Sequence, residues 1–359
     1  MNSTKIFYAV LNMGLGHASR SLPLIRELHK QGNKVWVGSN GRSLYFLQKE
    51  LPDLKFFETP DYEIRYSKSN LLIPKLFFQF PKILNRIKKE NEFCEKVVKE
   101  ISPDIIISDH CYGIYHSKIP SFMLSHQINF AVPGNVEILS KLISKFNFSY
   151  HQYFKKIIIP DFQDKPGGLI SGSLSRFPAN NTKYQYAGIL SSIKKEAIEN
   201  DLTLLVSISG PEPQRTLFEE IIMEQIGNIP GKKVVVLGKS ERSELLIEKD
   251  DLKVYSHVGR KELEGFMNKA QIILSRPGYS TIMELVEIGK KALFVPTPGQ
   301  TEQEYLAKRM KEKMWYYSVK QNNLNLKRDI EIAKKYEGFS QNDATKNSVK
   351  HIIKDVLRI

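Results

Sequence analysis

The sequence has 359 residues, of which 41% are hydrophobic and 26% are charged, and its mean hydropathy is −0.32. This length exceeds the size at which one hydrophobic core usually keeps growing, so two domains are expected. No apolar run approaches the ~20 residues that span a bilayer, and no secretory signal pattern is recognised. The two cysteines, Cys94 and Cys111, lack metal-ligand spacing and cannot form a disulfide framework. These features exclude membrane-spanning and disulfide-stabilised classes and predict a cytoplasmic chain.

The charge is more informative than the composition. There are 53 Lys and Arg residues against 39 Asp and Glu residues, which gives a net charge of +14 and a pI near 9.4. Such a surplus favours an anionic partner or surface, and nucleic acid, anionic lipid and phosphorylated substrates all qualify. A general lysine bias of the coding sequence would produce the same surplus without any function.

Short apolar strands alternate with helical stretches through the first half of the chain. Strands are predicted at residues 5–11, 34–38, 105–108, 121–125 and 155–159. Helical periodicity runs through residues 19–30 and 81–100. This alternation predicts a parallel sheet that is covered by helices on both faces.

The same pattern restarts after the polar stretch 194–201. A second set of strands is predicted at residues 202–208, 233–237, 253–255, 271–274 and 292–295, with helical patterns at residues 216–226 and 261–269. We therefore expect an α/β protein of two Rossmann-like domains facing across a cleft. The expected bounds are 1–190 and 200–340, and a C-terminal helix in 341–359 is expected to pack back on the first domain.

The turn after the first predicted strand contains Gly14, Gly16 and His17. Two glycines between a strand and a helix allow a ligand to approach the backbone closely, as in Rossmann loops. Ser19 and Arg20 stand where a third glycine would be, and no acidic residue ends the second strand, so NAD binding is not expected. An imidazole at this sheet edge is suited to removing a proton from a hydroxyl, although it could also cap the helix or tie the loop.

The segment 73–89 interleaves aromatic and basic residues. Such a segment can lie in a membrane interface, with its lysines on anionic headgroups. The same pattern also describes a core helix with one solvated face. Aromatic and basic interleaving suits single-stranded nucleic acid as well, but no nucleic-acid motif accompanies it.

Three polar residues follow the next two predicted strands of the first half. Asp109 and His110 come directly after residues 105–108, and His126 follows residues 121–125. Asp109 or His110 could orient a partner or act as an acid or base, and His126 occupies an equivalent position. The alternative is that these side chains only cap the turns that follow the strands.

In the second half, a helix N-terminus offers a site for phosphate. The turn Ser275–Gly278 leads into a helix opened by Ser280 and Thr281, whose unpaired backbone N–H groups and partial positive charge favour an anion. Glu284, one turn into this helix, could accept hydrogen bonds from a ribose diol. Ser209 and Gly210, in a preceding strand-to-helix turn, could present further N–H groups, or could be a plain turn.

A polar loop follows the last predicted strand and carries Gln303 and Glu304. Amide and carboxylate side chains of this kind can bind the hydroxyl groups of a sugar. Receptors for phosphate, ribose and sugar therefore occur in one compact unit, which predicts a nucleotide-sugar site.

These residues resemble a known group, the GT-B glycosyltransferases of the family that contains the peptidoglycan N-acetylglucosaminyltransferase and the plant galactolipid synthases. Arg276 and Glu284 match the family's Arg-x-Gly-(x)-Ser/Thr-x-x-Glu segment, and Gln303 matches its loop glutamine, with Glu304 where a second Gln often stands. The resemblance implies a phosphate-side role for Arg276, ribose binding by Glu284 and donor-sugar binding by Gln303. Gly16-His17 matches the end of the family's N-terminal Gly-rich turn, in a loop that is one glycine shorter.

The form Gly14-x-Gly16-His17-x-x-Arg20 is also similar to that of GT-B-like hydrolases that cleave nucleotide-linked amino sugars. Those enzymes carry an Asp-His pair after a first-domain strand, as Asp109-His110 does here. In them the histidine of the first turn activates water instead of an acceptor alcohol.

The sequence therefore predicts an inverting, metal-independent glycosyltransferase that uses a nucleoside diphosphate sugar, with uridine diphosphate as the family expectation. His17 or Asp109 would be the catalytic base, with Gly14, Gly16, His110 and His126 on the acceptor side. The acceptor is predicted to be a lipid-linked or cell-envelope glycan, reached at the inner face of the membrane through residues 73–89. No cofactor, metal or nucleic-acid partner is expected. The alternatives are a nucleotide-sugar hydrolase and a non-catalytic nucleotide-sugar or nucleic-acid binding protein.

Overall fold

A computed structural model describes residues 3–61, 72–131, 137–178, 180–239, 243–341 and 343–359, without the side chains of residues 72–80 and 137–143. The chain divides into two compact units. Unit 1 comprises Met1–Ser192 together with Asp343–Ile359, and unit 2 comprises Ile193–Asn342. Each unit is an α/β sandwich built on one largely parallel sheet.

Unit 1 alternates strands and helices along the chain. Its elements are β1 (Lys5–Val10), α1 (Gly16–Lys30), β2 (Lys34–Ser39), α2 (Gly41–Glu50), β3 (Lys55–Glu58), α3 (Leu72–Ile101), β4 (Ile105–Asp109), β5 (Ser121–Leu124), α4 (Glu137–His151), β6 (Lys156–Ile159), the short pair β7 (Gln163–Asp164) and β8 (Gly167–Gly168), and β9 (Tyr184–Tyr186). The main sheet has the order β3-β2-β1-β4-β5-β6-β9. All of its strands are parallel.

The central strands of this sheet are apolar on both faces, which is why they lie in the middle. Every residue of β4 and all but the first residue of β1 are buried. Continuous apolar runs of this kind are typical of parallel strands that are covered by helices on both sides. Such a sheet places the carboxyl ends of its strands on one edge, where ligands of this fold class bind.

Helix α10 (Ala344–His351) and the π-helical turn Ile352–Leu357 complete unit 1. Val349, Ile352, Ile353, Val356 and Leu357 are buried in the same core cluster as the apolar residues of β1 and α1. Burying one such side chain contributes about 1.5–3 kcal/mol, so this segment is an integral part of the unit.

Unit 2 repeats the plan with its own sheet and core. Its elements are β10 (Leu202–Ser207), α5 (Gln214–Gln225), β11 (Lys233–Val236), β12 (Leu245–Lys249), β13 (Leu252–Tyr255), α6 (Arg260–Lys269), β14 (Ala270–Ser275), α7 (Tyr279–Ile288), β15 (Lys291–Phe294), α8 (Thr301–Glu312), β16 (Tyr317–Ser318) and α9 (Leu326–Lys334). The sheet order is β12-β13-β11-β10-β14-β15-β16, and β12 is the antiparallel strand among these. Neighbouring strands β10, β14 and β15 therefore end side by side.

Helix α3 contains the segment for which membrane contact is predicted. The side chains of residues 73–80 lie outside the described residues, so the prediction is followed only from Pro81 onward. There Ile87, Cys94 and Val97 are buried at helical spacing, whereas Leu84 is 38% exposed. From Ile87 onward, α3 thus packs one stripe on the core, and Ile87 is the buried residue within 81–89. Within the described part of the chain, no helix is both long and apolar enough to cross a membrane.

Candidate active site

The first group of predicted site residues lies at the carboxyl edge of the sheet in unit 1. Strands β1 and β4 are neighbours, with Val10 opposite Asp109, and α1 begins at Gly16 shortly after β1 ends. Gly14 has a φ of +74°, a left-handed conformation that glycine adopts without strain, and it forms the turn between the two elements. This arrangement brings His17 into contact with Asp109, which is 92 residues away in the chain.

Asp109 is the centre of this cluster and is fully buried. Its Oδ2 accepts hydrogen bonds from Arg20 Nε at 2.8 Å and from Ser21 Oγ at 2.7 Å. Its Oδ1 accepts from His17 Nδ1 at 2.8 Å and from Arg20 Nη2. Because both oxygens are engaged and no part of the residue is exposed, Asp109 is placed to orient His17 and not to meet an acceptor alcohol itself.

The protonation states in the cluster follow from its charges. Burial alone would raise the pKa of Asp109, but the Arg20 charge and the hydrogen bonds of Arg20 and His17 outweigh burial and hold that pKa below its ordinary value. Burial, with help from the Arg20 charge, lowers the pKa of His17 below its ordinary value, against the opposing effect of Asp109. At neutral pH the pair is therefore a carboxylate and a neutral imidazole.

The carboxylate fixes the tautomer of His17. An ionised Asp109 can only accept hydrogen bonds, so the proton of the neutral ring resides on Nδ1 and the lone pair on Nε2. Arg20 Nη2 lies 3.0 Å from the same Nδ1 and donates to Asp109. Because Nδ1 carries the proton, it accepts no hydrogen bond from Arg20, and the guanidinium only adds positive charge beside the ring. A neutral imidazole with its Nε2 lone pair available is a general base.

His126 and His110 complete the group. His126 Nδ1 accepts a hydrogen bond of 2.8 Å from Arg20 Nη1. The His110 ring centroid is 5.6 Å from that of His17, and its Nδ1 is buried without a hydrogen-bond partner among the described residues. Burial lowers the pKa of His110 well below its ordinary value, and the His17 and Arg20 charges act in the same direction. Unit 1 thus gathers all four of the predicted side chains His17, Asp109, His110 and His126.

The second group lies at the carboxyl edge of the sheet in unit 2. Helix α7 begins at Tyr279, one residue before the predicted Ser280, with Gly278 as its cap residue. Its first turn contains no acidic side chain, and Ser280 and Thr281 are half-buried there. The electrostatics of this N-terminus favour an anion.

Arg276 is held by other groups of unit 2. Its guanidinium is buried and donates to Val295 O at 2.9 Å, to Gln214 O at 3.1 Å and to Gln321 Oε1 at 2.7 Å. It also stacks 4.0 Å above the centre of the Phe218 ring. Burial lowers the pKa of Arg276 to about 10, so it remains charged at neutral pH. Its donors join the segments around Gln214, Val295 and Gln321, and its phosphate-side role stays a prediction.

Glu284 is paired with a residue that the sequence analysis did not single out. Its Oε1 accepts a hydrogen bond from Arg260 Nη2, and both side chains are largely buried. One carboxylate oxygen is therefore engaged by an ion pair. A ribose diol would share this carboxylate with Arg260.

Gln303 and Glu304 lie in the first turn of α8 and not in a loop as predicted, and their side chains order the loop that precedes this helix. Gln303 Oε1 accepts from the backbone N–H of Thr297 at 2.8 Å, and Glu304 Oε1 accepts from that of Gly299 at 3.0 Å. Both side chains thus order the loop at the end of β15. Their binding to a donor sugar stays a prediction.

Two buried hydroxyl groups mark the same edge. Ser275 Oγ and Thr297 Oγ1, at the ends of neighbouring strands, have no hydrogen-bond partner among the described residues. Gly210 follows Ser209 in the adjacent loop with a φ of +119°, and a Cβ at this position would lie 3.5 Å from Thr297 Oγ1. The backbone of this loop therefore lies close to the Thr297 hydroxyl, as a site for phosphate oxygens requires.

The sequence analysis missed Arg20, Arg260 and Thr297 as members of these groups. Arg20 had been noted as the residue that replaces a glycine and as the end of the Gly14-x-Gly16-His17-x-x-Arg20 form, but it had been given no role. Its position at i+3 from His17 on one helix was the available signal. Nothing in the local sequence pairs Arg260 with Glu284, which follows 24 residues later. In the described ranges, no group of three or more His, Cys, Asp or Glu residues is arranged to hold a metal ion.

Comparison with protein families gives matches in both halves of the chain. Residues 219–356 match the glycosyltransferase family 28 C-terminal domain, and residues 4–124 match glycosyl transferase family 1. The chain is 26% identical over 324 residues to an uncharacterised glycosyltransferase of Methanosarcina acetivorans, an alignment that covers 84% of this chain and 81% of the relative. It is 23% identical to the UDP-N-acetylglucosamine–N-acetylmuramyl-(pentapeptide) pyrophosphoryl-undecaprenol N-acetylglucosamine transferase of Rickettsia akari, covering 89% and 87% of the two chains.

Solved structures share the fold. MurG of Acinetobacter baumannii superposes with a TM-score of 0.59 at 15% identity, covering 98% of this chain and 99% of that one. The glycosyltransferase SnogD of Streptomyces nogalater superposes with a TM-score of 0.63 at 11% identity, covering 97% and 94%. At these identities the likeness concerns the fold alone, and that fold is GT-B, with two parallel-sheet α/β domains.

Proposed function

We propose that this chain, a glycosyltransferase of GT-B fold with a family 28 C-terminal domain, moves a sugar from a nucleoside diphosphate sugar to an acceptor hydroxyl with inversion. The observation that carries the proposal is the His17–Asp109 pair, in which a buried carboxylate holds a neutral imidazole with its lone pair on Nε2. We assign the acceptor and the base to unit 1, and the donor to unit 2.

In the proposed reaction, His17 Nε2 removes the proton of the acceptor hydroxyl. The acceptor oxygen forms a bond to the anomeric carbon while the bond from that carbon to the diphosphate oxygen breaks. The attack comes from the face opposite the leaving group, so the configuration inverts. Asp109 stabilises the imidazolium that forms, because the two side chains share a hydrogen bond of 2.8 Å.

The leaving diphosphate gains negative charge as the bond breaks. The N-terminus of α7, the backbone of Ser209 and Gly210, and the hydroxyls of Ser275 and Thr297 are the groups that we assign to it. Backbone N–H groups and hydroxyls can supply this stabilisation without a metal ion, and the metal-independent route is part of the proposal. Glu284 is assigned to the ribose, and Gln303 and Glu304 to the donor sugar.

The names of the relatives guide the choice of substrates. The Rickettsia transferase takes its sugar from a UDP-sugar and gives it to a lipid-linked acceptor. We propose uridine diphosphate as the donor carrier and a lipid-linked envelope glycan as the acceptor class. The net charge of +14 supports approach to an anionic membrane face, which we place on the cytoplasmic side.

His17→Ala tests the proposal. We expect kcat for sugar transfer to fall by about 10²–10⁴, because the general base is lost. The rise in melting temperature on adding UDP should persist, because the donor groups lie in unit 2. His29→Ala is the matched control, since His29 is an exposed residue of the same helix, and its kcat should equal that of the wild type.

Other outcomes would contradict the proposal. Turnover of His17→Ala within a few-fold of wild type would remove His17 from catalysis. Release of sugar from the donor at full rate without any acceptor would identify a nucleotide-sugar hydrolase. If UDP-sugars stabilised the protein but no acceptor gave turnover, the chain would be a non-catalytic nucleotide-sugar binding protein.

A further inference from the structure

A groove in unit 1 lies apart from the residues assigned to catalysis. Its volume is about 790 Å³, within the roughly 300–1,000 Å³ that is usual for small-molecule sites. It is lined by the loop after β6, the segment that precedes β9, β9 itself and His351 at the end of α10. Strand β9 is the last strand of its sheet, so the groove follows a sheet edge.

One wall of the groove is aromatic. The Phe177 and Tyr184 rings are stacked with centroids 4.8 Å apart and an interplanar angle of 19°, and the Tyr186 ring lies 5.6 Å from that of Phe177. Tyr186 donates a hydrogen bond from its hydroxyl to Ser175 O at 2.9 Å, which fixes the ring. Phe177 and Tyr186 are half-buried, so part of each ring faces the groove.

The loop after β6, which also lines the groove, is held by a buried carboxylate. Asp161 accepts hydrogen bonds from the backbone N–H of Phe162 at 2.7 Å, of Ile170 at 3.0 Å and of Ser171 at 2.7 Å. Gly168 packs directly against it, since a Cβ there would lie 2.1 Å from Asp161 Oδ2. This side of the groove is therefore preorganised, which reduces the entropy lost on binding.

The opposite side presents an oriented amide. His351 Nδ1 donates a hydrogen bond of 2.7 Å to Asp355 Oδ2, and this tautomer of the neutral ring leaves Nε2 as an acceptor. Gln185 Nε2 lies 3.0 Å from that His351 Nε2 and donates to it. The amide of Gln185 is thereby fixed, with its Oε1 as an acceptor for a hydroxyl.

The charge of the groove identifies the class of ligand. None of the twelve described residues that line it is Lys or Arg, although the chain as a whole carries a net charge of +14. A site for phosphate or an acidic polymer would draw on this surplus. An aromatic wall opposite amide and hydroxyl groups instead matches a pyranose, whose C–H face packs on rings and whose hydroxyls hydrogen-bond to amides.

We propose that this groove binds a neutral sugar unit of a glycan, as a second carbohydrate site distinct from the nucleotide-sugar site. The site goes beyond the proposed transfer reaction and does not depend on it. Its function is to hold a glycan on unit 1 by a sugar unit that is not reacting.

The test is saturation-transfer NMR and calorimetry on the full chain with neutral trisaccharides such as chitotriose, cellotriose and maltotriose. We expect at least one to bind, with its affinity unchanged by saturating UDP and in His17→Ala. Phe177→Leu and Gln185→Ala should each weaken binding about fivefold to tenfold, through loss of the ring face and of the amide acceptor. Tyr153→Ala is the matched control, because Tyr153 is an exposed, stacked aromatic residue of unit 1 outside the groove, and its affinity should equal that of the wild type.

The proposal is overturned if no neutral trisaccharide binds to the folded chain at concentrations up to about 10 mM. A Kd of that size corresponds to a binding free energy of only a few kcal/mol. It is also overturned if both groove variants fold as the wild type does and bind with unchanged affinity. Binding of an extended peptide along β9 in place of any sugar would contradict it too. Loss of transfer in His17→Ala with trisaccharide binding retained separates this site from the proposed reaction.

Discussion

Two buried arginines, one in each unit, show how the same side chain serves two different purposes. Arg20 pairs with the Asp109 carboxylate and contacts two histidines, so its positive charge is met by a negative charge and by titratable groups. Arg276 is met by backbone carbonyls, the Gln321 amide and the Phe218 ring. Arg20 therefore sets protonation states, whereas Arg276 sets the geometry of the loops around it.

This difference follows from the energetics of buried charge. A guanidinium taken out of water must recover its hydration through hydrogen bonds, and either a carboxylate or several carbonyls can supply them. Only the carboxylate also changes the pKa values of its neighbours. The catalytic chemistry is thus expected to depend on the Arg20 group, and the binding of nucleotide on the Arg276 group.

Asp109→Asn is the strongest way to break the Arg20 group. It leaves Arg20 buried without a counter-charge, which should cost about 3–5 kcal/mol of unfolding free energy. An amide can also donate to His17 and favour the wrong tautomer, so kcat should fall on the order of 10³. Denaturant titration and steady-state kinetics of transfer measure the two effects.

Asp104→Asn is the matched control for this change. Asp104 accepts a backbone hydrogen bond from Lys5 at 2.8 Å in the same unit, which an amide oxygen can also accept, so stability and kcat should stay as in the wild type. If Asp109→Asn behaved like this control, Asp109 would not be the residue that orients His17.

A pair of lysine substitutions sharpens the comparison. Arg20→Lys and Arg276→Lys both keep the charge but lose the fork of donors, and each lost hydrogen bond to a charged group is worth about 1.5–3 kcal/mol. We expect Arg20→Lys to lower kcat while the melting-temperature rise with UDP is retained. We expect Arg276→Lys to reduce the melting-temperature rise with UDP. The acid limb of its pH–activity profile, where kcat falls as the pH is lowered, should stay at the same pH as in the wild type.

The comparison holds only if the pH–activity profile and the melting-temperature rise with UDP respond to different substitutions. If Arg276→Lys moved the acid limb, or if Arg20→Lys abolished the response to UDP, the division into a protonation role and a geometric role would be wrong. Circular dichroism of both variants shows whether each remains folded during the measurement.

A smaller effect is expected from pH. Burial, with a contribution from the Lys183 charge, lowers the pKa of His151 to about 3, and burial lowers those of His17 and His110 as well. The unfolded chain, with histidine pKa values near 6.5, therefore binds more protons than the folded chain. The stability present above pH ~6.5 is lost as pH falls, by up to about 1.4 kcal/mol per pH unit for each histidine.

His151→Gln isolates one such contribution. Gln can still hydrogen-bond to the Tyr184 hydroxyl, which lies 3.1 Å from His151 Nδ1, but it takes up no proton. The loss of unfolding free energy between pH 6.5 and 5.5 should be smaller in this variant by about 1 kcal/mol. Equal slopes in the variant and the wild type would show that His151 is not held neutral by burial.

Much of the fold was predictable from the sequence, because buried parallel strands read as continuous apolar runs. The strand at 105–108 and those at 202–208 and 271–274 are confirmed to within two residues. Strands β3, β9, β12 and β16 were not predicted. These are edge strands, two to five residues long, and each pairs with a strand on one side only.

The candidate site was predictable to the extent that it depends on strand order. His17, Asp109 and His126 follow strands that become neighbours in a parallel sheet, so their meeting could be expected. Two features depend on loop paths that no local sequence pattern encodes. They are the pairing of Glu284 with Arg260 and the burial of Arg276 against backbone carbonyls. The phosphate-side role that the resemblance implies for Arg276 stays a prediction.

The packing of α10 on unit 1 has a consequence for synthesis. Residues 349–357 belong to the core that also contains β1 and α1, yet the ribosome makes them after the whole of unit 2. Unit 2 is a continuous segment and can fold while it emerges. Unit 1 by then has the strands β1–β9, but the apolar surface that residues 349–357 cover stays exposed until they are made. At about 5–20 residues per second, the 150 residues of Ile193–Asn342 impose a delay of roughly 8–30 seconds, during which the first half of the chain depends on chaperones or on its own partial structure.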